Sequence, residues 1–310
     1  MRGGSLLVVR PLFLFLSRLG WLRKRFESSA AARRLAHRFV AGETLEDALA
    51  VGRRLKAEGI SLTLDRLGES VTSLDEAASA RDDYLRALES MHESGGEGNV
   101  SLKLTQFGLD LSTDACAANV EQLVRRAAQI GAFVRVDMES SDYVDRTLSL
   151  VTDLFARHGA VGTVIQAYLY RSLADVENLC DLGIRVRLCK GAYLESAELA
   201  FPAKADVDSN YVKLMQILLE RGNYPAIATH DEKMIAETKR FAAARKLSSD
   251  KFEFQMLYGI RRDLQRQLVA EGYRLRLYVP FGRAWYPYYM RRLAERPANV
   301  FFILRNIFRH

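Results

Sequence analysis

A closed (β/α)8 barrel of the TIM type, preceded by N-terminal helices, is the fold this sequence predicts. Three observations carry that reading. Eight short apolar runs recur along the chain, at residues 60–64, 100–104, 132–136, 163–168, 184–188, 226–228, 252–257 and 274–279. Between consecutive runs lies a segment of helical length and period, as at residues 114–129, 142–157 and 231–245, and about eight such units in about 250 residues is the count and size of a closed parallel barrel. No run is followed by G-x-G-x-x-G, and the cluster Gly95, Gly96 and Gly98 follows a helical segment and precedes a run, the reverse of the dinucleotide-binding order. An open doubly wound sheet is the alternative arrangement of the same elements.

Ahead of the barrel, residues 43–58 read as a helix with Leu45, Leu49 and Leu55 among its apolar positions and Gly59 ending it. The predicted division is therefore residues 1–58, a leader with helices, and residues 59–310, the barrel. A chain of 310 residues with 49% hydrophobic content can bury a full core. The net charge of +7 is concentrated at the start, where residues 1–38 hold nine Arg or Lys against Glu27 alone. The body is near neutral, whereas a nucleic-acid enzyme spreads basic residues over its working face, so no nucleic-acid partner is expected. The leader's apolar stretch, residues 6–16, is too short to span a bilayer and is interrupted by Arg10 and Pro11. It reads as a helix packed on the body, an amphipathic segment on an anionic membrane surface, or a targeting peptide. The three cysteines, Cys116, Cys180 and Cys189, form no C-x-x-C pair and no cluster of metal-ligand spacing, which points to a reducing compartment and no metal site. A cytoplasmic protein is expected, with the leader offering peripheral contact at the inner face of the cell membrane. No G-x-S-x-G elbow and no P-loop occur.

In a barrel of this kind the active site lies at the C-terminal ends of the strands. Those ends are polar, carrying Asp65, Lys103, Asp137, Gln166, Lys190, His230, Gln255 and Tyr278. A ring of cations, carboxylates, amides and an aromatic points to a ligand pocket. Taken singly, each has a plainer reading: Asp137 as a cap for the helix near residue 142, His230 as the neighbour of a cap. Near the end of the chain, YPYYMRRLAE (residues 286–295) places Tyr288, Arg291, Arg292 and Glu295 at i, i+3, i+4 and i+7 of a helix. Two adjacent guanidiniums on one face suit a small carboxylate, because the planar fork pairs with it bidentately. A solvated basic face is the plainer reading of that helix. Lysines at strand ends are open to two chemistries, Schiff-base formation or recognition of an anionic ligand.

Eight segments occur in one order: VSLKLTQ (100–106), VRVDMES (134–140), VIQAYLYR (164–171), RLCKGAYLE (187–195), ATHDEKMI (228–235), FEFQMLYG (252–259), RLYVPFGRAWYPYY (276–289) and MRRLAERPAN (290–299). Together they closely resemble the monofunctional bacterial proline dehydrogenases, over residues 41–299. The resemblance implies a distorted barrel with FAD bound non-covalently at the strand C-termini. The implied reaction is oxidation of L-proline to 1-pyrroline-5-carboxylate, with electrons passed to a membrane quinone, and a separate pyrroline-5-carboxylate dehydrogenase as a possible partner. It further implies that Arg291, Arg292 and Lys103 clamp the proline carboxylate, supported by Glu295. Tyr193, Leu257, Tyr278 and Tyr288 are similar to the walls around the pyrrolidine ring, Asp137 to the strand-end acid of the pocket, and Arg187 to an arginine beside flavin N5. Met138, Gln166, Lys190, Gly191, Ala192, Thr229 and His230 resemble positions that touch the flavin. Leu194 stands where the bifunctional relatives commonly carry tryptophan, so adenine packing is expected to differ. The competing readings are a barrel lyase with Lys190 or Lys103 as Schiff-base nucleophile, and an inactive barrel held on a membrane by its leader.

Overall fold

In the computed structural model, described for residue 29, residues 36–68 and residues 71–295, eight parallel strands close into a barrel in sequence order. Of residue 291 and residues 293–295 only the backbone is described, and the leader before residue 29 lies outside the described residues. The elements run α1 (Leu45–Ala57), β1 (Ser61–Arg66), α2 (Leu74–Glu93), β2 (Asn99–Leu102), α3 (Thr113–Ile130), β3 (Phe133–Val136), α4 (Val144–His158) and β4 (Val161–Gln166). The second half continues α5 (Ser172–Asp181), β5 (Arg185–Cys189), α6 (Lys204–Arg221), β6 (Ala226–Ala228), α7 (Glu232–Ala244), β7 (Glu253–Leu257), α8 (Arg262–Ala270), β8 (Leu275–Phe281) and α9 (Trp285–Glu295). The open-sheet alternative is set aside by closure of β1 on β8, from Ser61 opposite Arg276 to Arg66 opposite Phe281.

Local chemistry starts and stops these elements where the pattern requires. Thr44 forms a reciprocal capping box with Asp47 at the start of α1, and Ser73 and Ser112 accept from the amides of Glu76 and Ala115, the third residues of α2 and α3. Gly131 and Gly159 end α3 and α4 in the left-handed conformation. The helix expected from residue 142 begins with a 3-10 turn, Ser141–Tyr143, before α4. Strand β4 starts two residues earlier than its apolar run suggested, because Gly162, a poor strand former, is inside it. A Cβ there would lie 2.3 Å from the Arg185 carbonyl and 3.0 Å from Arg135 Nη1, so the glycine admits the Arg135 side chain.

The eight runs are not apolar on both faces. Val134 and Val136 of β3, Val186 and Leu188 of β5, Phe254 and Met256 of β7, and Leu275, Leu277 and Val279 of β8 join the main apolar core. Their alternates, Arg135, Arg187, Glu253 with Gln255, and Arg276, are buried on the other face, inside the barrel. Helix α1 contributes Ala48, Val51 and Leu55 to the same apolar core. A second cluster joins Trp285, Tyr286, Tyr288, Tyr289 and Met290 of α9 to Leu67, just beyond β1, and to Ala36, Phe39 and Val40. That cluster packs α9, which follows β8, against the chain just past the C-terminal end of β1. No helix among the described residues is long and apolar enough to cross a membrane.

Candidate active site

The C-terminal rim gathers side chains from every part of the chain. Asp137, just past β3, is held by its own amide, which donates to the Leu102 carbonyl at 2.7 Å. Its Oδ1 accepts from Arg187 Nη1 at 2.7 Å and its Oδ2 from the Tyr278 hydroxyl at 2.8 Å. The capping role is therefore excluded for Asp137. The guanidinium of Arg187 lies over the Tyr278 ring, 5.3 Å from its centroid. Burial, with the Asp137 and Asp65 carboxylates nearby, pushes the Tyr278 phenol well above its ordinary pKa, so this hydroxyl remains a donor to Asp137.

Other predicted positions fall around this centre. Gln166 donates its amide to the Glu139 carbonyl at 2.9 Å, and His230 Nε2 accepts from the Leu257 amide at 2.9 Å, which fixes that nitrogen as the unprotonated one. Thr229 Oγ1 accepts from the Asp231 amide at 3.0 Å. Met138 is buried with Val164, Tyr168 and Leu169. Leu257 and Lys103 are half-buried at the ends of their strands. Lys190 reaches Asp208 Oδ1 at 2.5 Å and Asp231 Oδ2 at 2.7 Å, so its ammonium is engaged by two carboxylates. That pairing weighs against Lys190 as a Schiff-base nucleophile.

After β5 the chain turns outward through Gly191, with φ +108, and the turn exposes Ala192, Tyr193 and Leu194, the last at 73%. Three consecutive apolar residues laid open at a barrel mouth suit a surface that a ligand covers. On α9, Tyr288 is buried and the Arg292 guanidinium lies 5.2 Å from its ring centroid. The backbones of Arg291 and Glu295 belong to the same helix, and their side chains lie outside the described residues.

Several rim residues had no predicted role. Glu139 accepts from Thr105 Oγ1 at 2.8 Å and from the Thr105 amide at 3.2 Å, tying the end of β2 to the end of β3. Glu195 accepts from the Ser141 amide at 2.8 Å and its hydroxyl at 2.5 Å, and from Tyr168 at 3.4 Å, tying the β5 loop to the β3 and β4 loops. Nothing in their local sequence marks these two glutamates, since each acts on a residue more than thirty positions away. A rim so stitched presents guanidinium, ammonium, amide and imidazole groups beside an exposed apolar lip. This donor set fits the flavin that the family resemblance implies, which needs polar partners at one ring edge, cations for a pyrophosphate and apolar contact for its ring systems.

The chain matches the proline dehydrogenase family over residues 48–305. It belongs to that family. Among proline dehydrogenases it is 46% identical to that of Deinococcus radiodurans, over 88% of this chain and 90% of that protein. It is 43% identical to proline dehydrogenase 1 of Bacillus subtilis, over 97% of this chain and 99% of that protein. The bifunctional protein PutA of Escherichia coli is more distant, 30% identical over 89% of this chain and 24% of that protein. In structure, the chain is similar to proline utilization A of Bdellovibrio bacteriovorus inactivated by N-propargylglycine, with TM-score 0.80 and 28% identity, over 85% of this chain and 33% of that one. The barrel found here is thus similar to about a third of that longer chain.

Proposed function

We propose that this chain oxidises L-proline to 1-pyrroline-5-carboxylate with non-covalently bound FAD, and that the electrons pass to a membrane quinone. The observation that carries the reading is the Arg187, Asp137 and Tyr278 cluster, in a chain of this family whose helix α9 bears paired arginines. Lys103, Arg291 and Arg292 hold the proline carboxylate, with Glu295 supporting the arginines, while Tyr193, Leu257, Tyr278 and Tyr288 enclose the ring. FAD, when bound, supplies the acceptor for the hydride that leaves C5. Met138, Gln166, Lys190, Gly191, Ala192, Thr229 and His230 surround it, and Arg187 places positive charge where negative charge develops. Fixing the substrate by its carboxylate orients C5, and orientation of this kind lowers barriers by up to about 7–11 kcal/mol in intramolecular reactions. Asp137 orients Arg187 and Tyr278 rather than touching the departing hydride. The reaction is then the first step of proline catabolism to glutamate, and a separate pyrroline-5-carboxylate dehydrogenase consumes the product.

The test is an absorption spectrum of the purified protein before and after anaerobic addition of L-proline. A flavin spectrum that bleaches with proline is expected. A protein that neither carries nor takes up FAD, or that forms a borohydride-trapped lysine adduct, overturns the reading. The carboxylate clamp makes a separate prediction: Arg291→Ala or Arg292→Ala raises KM for proline by about 10- to 100-fold with flavin still bound, since each removes a charge-assisted contact worth about 1.5–3 kcal/mol. Loss of flavin from both variants places that helix face elsewhere.

The basic leader gives the chain its route to the membrane, at the cytoplasmic face, where anionic lipid attracts clustered arginines. Because Ala36, Phe39 and Val40 are buried against α9, the informative deletion stops at residue 28. It is expected to leave turnover with a soluble acceptor intact and to abolish sedimentation with vesicles containing phosphatidylserine. Equal sedimentation of both forms rejects the leader as the membrane contact.

A further inference from the structure

The position of Arg187 is set by Asp137 and by two further residues, Gln255 and Ser101, that the proposed reaction does not use. Three donors of its guanidinium go to β7, to the residue just past β3 and to β2: Nε to Gln255 Oε1 at 2.5 Å, Nη1 to Asp137 Oδ1 at 2.7 Å and Nη2 to Ser101 Oγ at 2.9 Å. A planar fork held at three corners has no rotation left. Of the three partners, Gln255 is the one whose chemistry is ambiguous, because the two ends of a side-chain amide have nearly the same shape and opposite polarity. Packing does not distinguish them. Glu253 does, for its ionised carboxylate only accepts, and Gln255 Nε2 donates to Glu253 Oε1 at 2.5 Å. The Gln255 oxygen must then face Arg187. The opposite amide orientation sets donor against donor at Arg187 and oxygen against carboxylate at Glu253.

Glu253 is itself anchored. Arg276 Nε donates to both its oxygens, at 2.9 and 3.1 Å, and the Tyr224 hydroxyl reaches Oε2 at 3.2 Å. Burial opposes its charge, but the Arg276 charge, the hydrogen bonds from Arg276 and Gln255 and the nearby Arg135 together hold the carboxyl below its ordinary pKa. Arg276 extends to Glu97, 78% exposed in its side chain. Hydrogen bonds thus connect Glu97 at the outer surface, through Arg276, Glu253, Gln255 and Arg187, to Asp137 and Tyr278 at the rim. Gln255, Glu253, Arg276 and Arg187 are all more than nine-tenths buried.

We infer that Gln255 is a positioning residue for Arg187, with Glu253 dictating the amide orientation that makes it one. This inference rests on the proposed proline oxidation for its kinetic consequence, and on geometry alone for its structural one. Arg187 lies outside the carboxylate clamp, so a loosened guanidinium impairs the oxidation step and leaves substrate affinity in place.

The experiment compares the wild-type holoenzyme with Gln255→Met, which keeps length and volume but removes both the acceptor for Arg187 and the donor to Glu253, and Gln255→Glu, which keeps an oxygen toward Arg187 but sets a second oxygen against the Glu253 carboxylate. The first readout is the arginine Nε–H resonance of Arg187 in ¹⁵N-labelled protein, identified by its loss in Arg187→Lys. The wild-type proton is expected to exchange slowly with solvent, that of Gln255→Met about tenfold faster or more, and that of Gln255→Glu between the two, because it keeps the acceptor for Arg187 and loses the donor to Glu253. The second readout is kinetic: in Gln255→Met, kcat falls roughly 10- to 100-fold while KM stays within about threefold and flavin remains bound. Glu97→Gln, at the exposed end of the network, is the control and leaves both readouts unchanged. A wild-type Nε–H that exchanges as fast as an exposed arginine overturns the inference, whether or not any variant folds. So does a folded Gln255→Met with wild-type kcat. If wild-type flavin fails to bleach with proline, the proposed function falls, and the exchange measurement still decides the role of Gln255.

Discussion

Asp137→Ala is expected to lower the thermal unfolding midpoint by roughly 5–15 °C and, in the protein that remains folded, to reduce proline turnover by about 100-fold or more. The stability loss arises because Arg187 is 6% exposed and Asp137 8% exposed. Removing one partner of a buried pair leaves the other charge without its counterpart, at a cost of about 3–5 kcal/mol. The Tyr278 hydroxyl loses its acceptor at the same time. Activity falls for a different reason: with Asp137 gone, the guanidinium keeps only its bonds to Gln255 and Ser101, and a displacement of about 1 Å at a reacting centre is worth about 100-fold in rate. Differential scanning calorimetry and steady-state kinetics with a soluble acceptor check the two parts independently. Asp137→Asn, which keeps the shape and an acceptor oxygen, is expected to fall between wild type and alanine in both. Asp137→Ala with an unchanged midpoint shows that Arg187 has another counter-charge.

Gly191→Ala is expected to weaken FAD binding by roughly 5- to 100-fold while lowering the unfolding midpoint of the apoprotein by only about 2–8 °C. Two constraints meet at this residue. Its φ of +108 is a conformation that costs an L residue about 1–3 kcal/mol. A Cβ there would also lie 2.1 Å from Tyr168 Cδ1. Tyr168 cannot yield, since its amide donates to the Lys190 carbonyl, its carbonyl accepts from Phe201, and its hydroxyl reaches Glu195. The turn must move instead, taking Ala192 and Tyr193 with it. Because these residues are exposed, the barrel pays little for the shift and the ligand surface bears the effect. Titration of apoprotein with FAD measures it. The double variant with Tyr168→Ala removes the clash and retains the backbone strain, so it should recover only part of the affinity. Unchanged affinity in Gly191→Ala means that the turn does not cradle the cofactor.

Much of this was legible in the primary structure, and the reasons are local. Eight strands appear as runs because backbone buried in a parallel sheet demands apolar neighbours, and their separations are those a crossover helix requires. Polar residues at strand ends, and consecutive arginines lying at i+3 and i+4 from Tyr288 on a helix face, follow from periodicity alone. Less was legible within the strands. Glu253 with Gln255, and Arg276 with Tyr278, alternate with residues of the apolar core, a period-2 signal present in EFQ and RLY but too short to separate from irregularity. Barrels of this architecture are commonly filled by branched apolar side chains. Here the interior holds three arginines, a glutamate and a glutamine: Arg187, Gln255, Glu253 and Arg276 pair with one another across strands, while Arg135 donates to the backbone carbonyls of Thr163 and Arg185.

The sequence by itself determined the order, number and kind of the elements, the polarity of the strand ends and the family, because each depends on residues near one another in the chain or on their succession. Tertiary structure alone decided the partners. Arg187 meets Asp137 across 50 residues, Gln255 across 68 and Ser101 across 86, and no local rule relates such distant positions. Barrel closure and strand register bring them within hydrogen-bond reach. Once there, the energetic cost of burying an unpaired donor or charge selects the one arrangement in which Glu253 orients Gln255 and Gln255 holds Arg187.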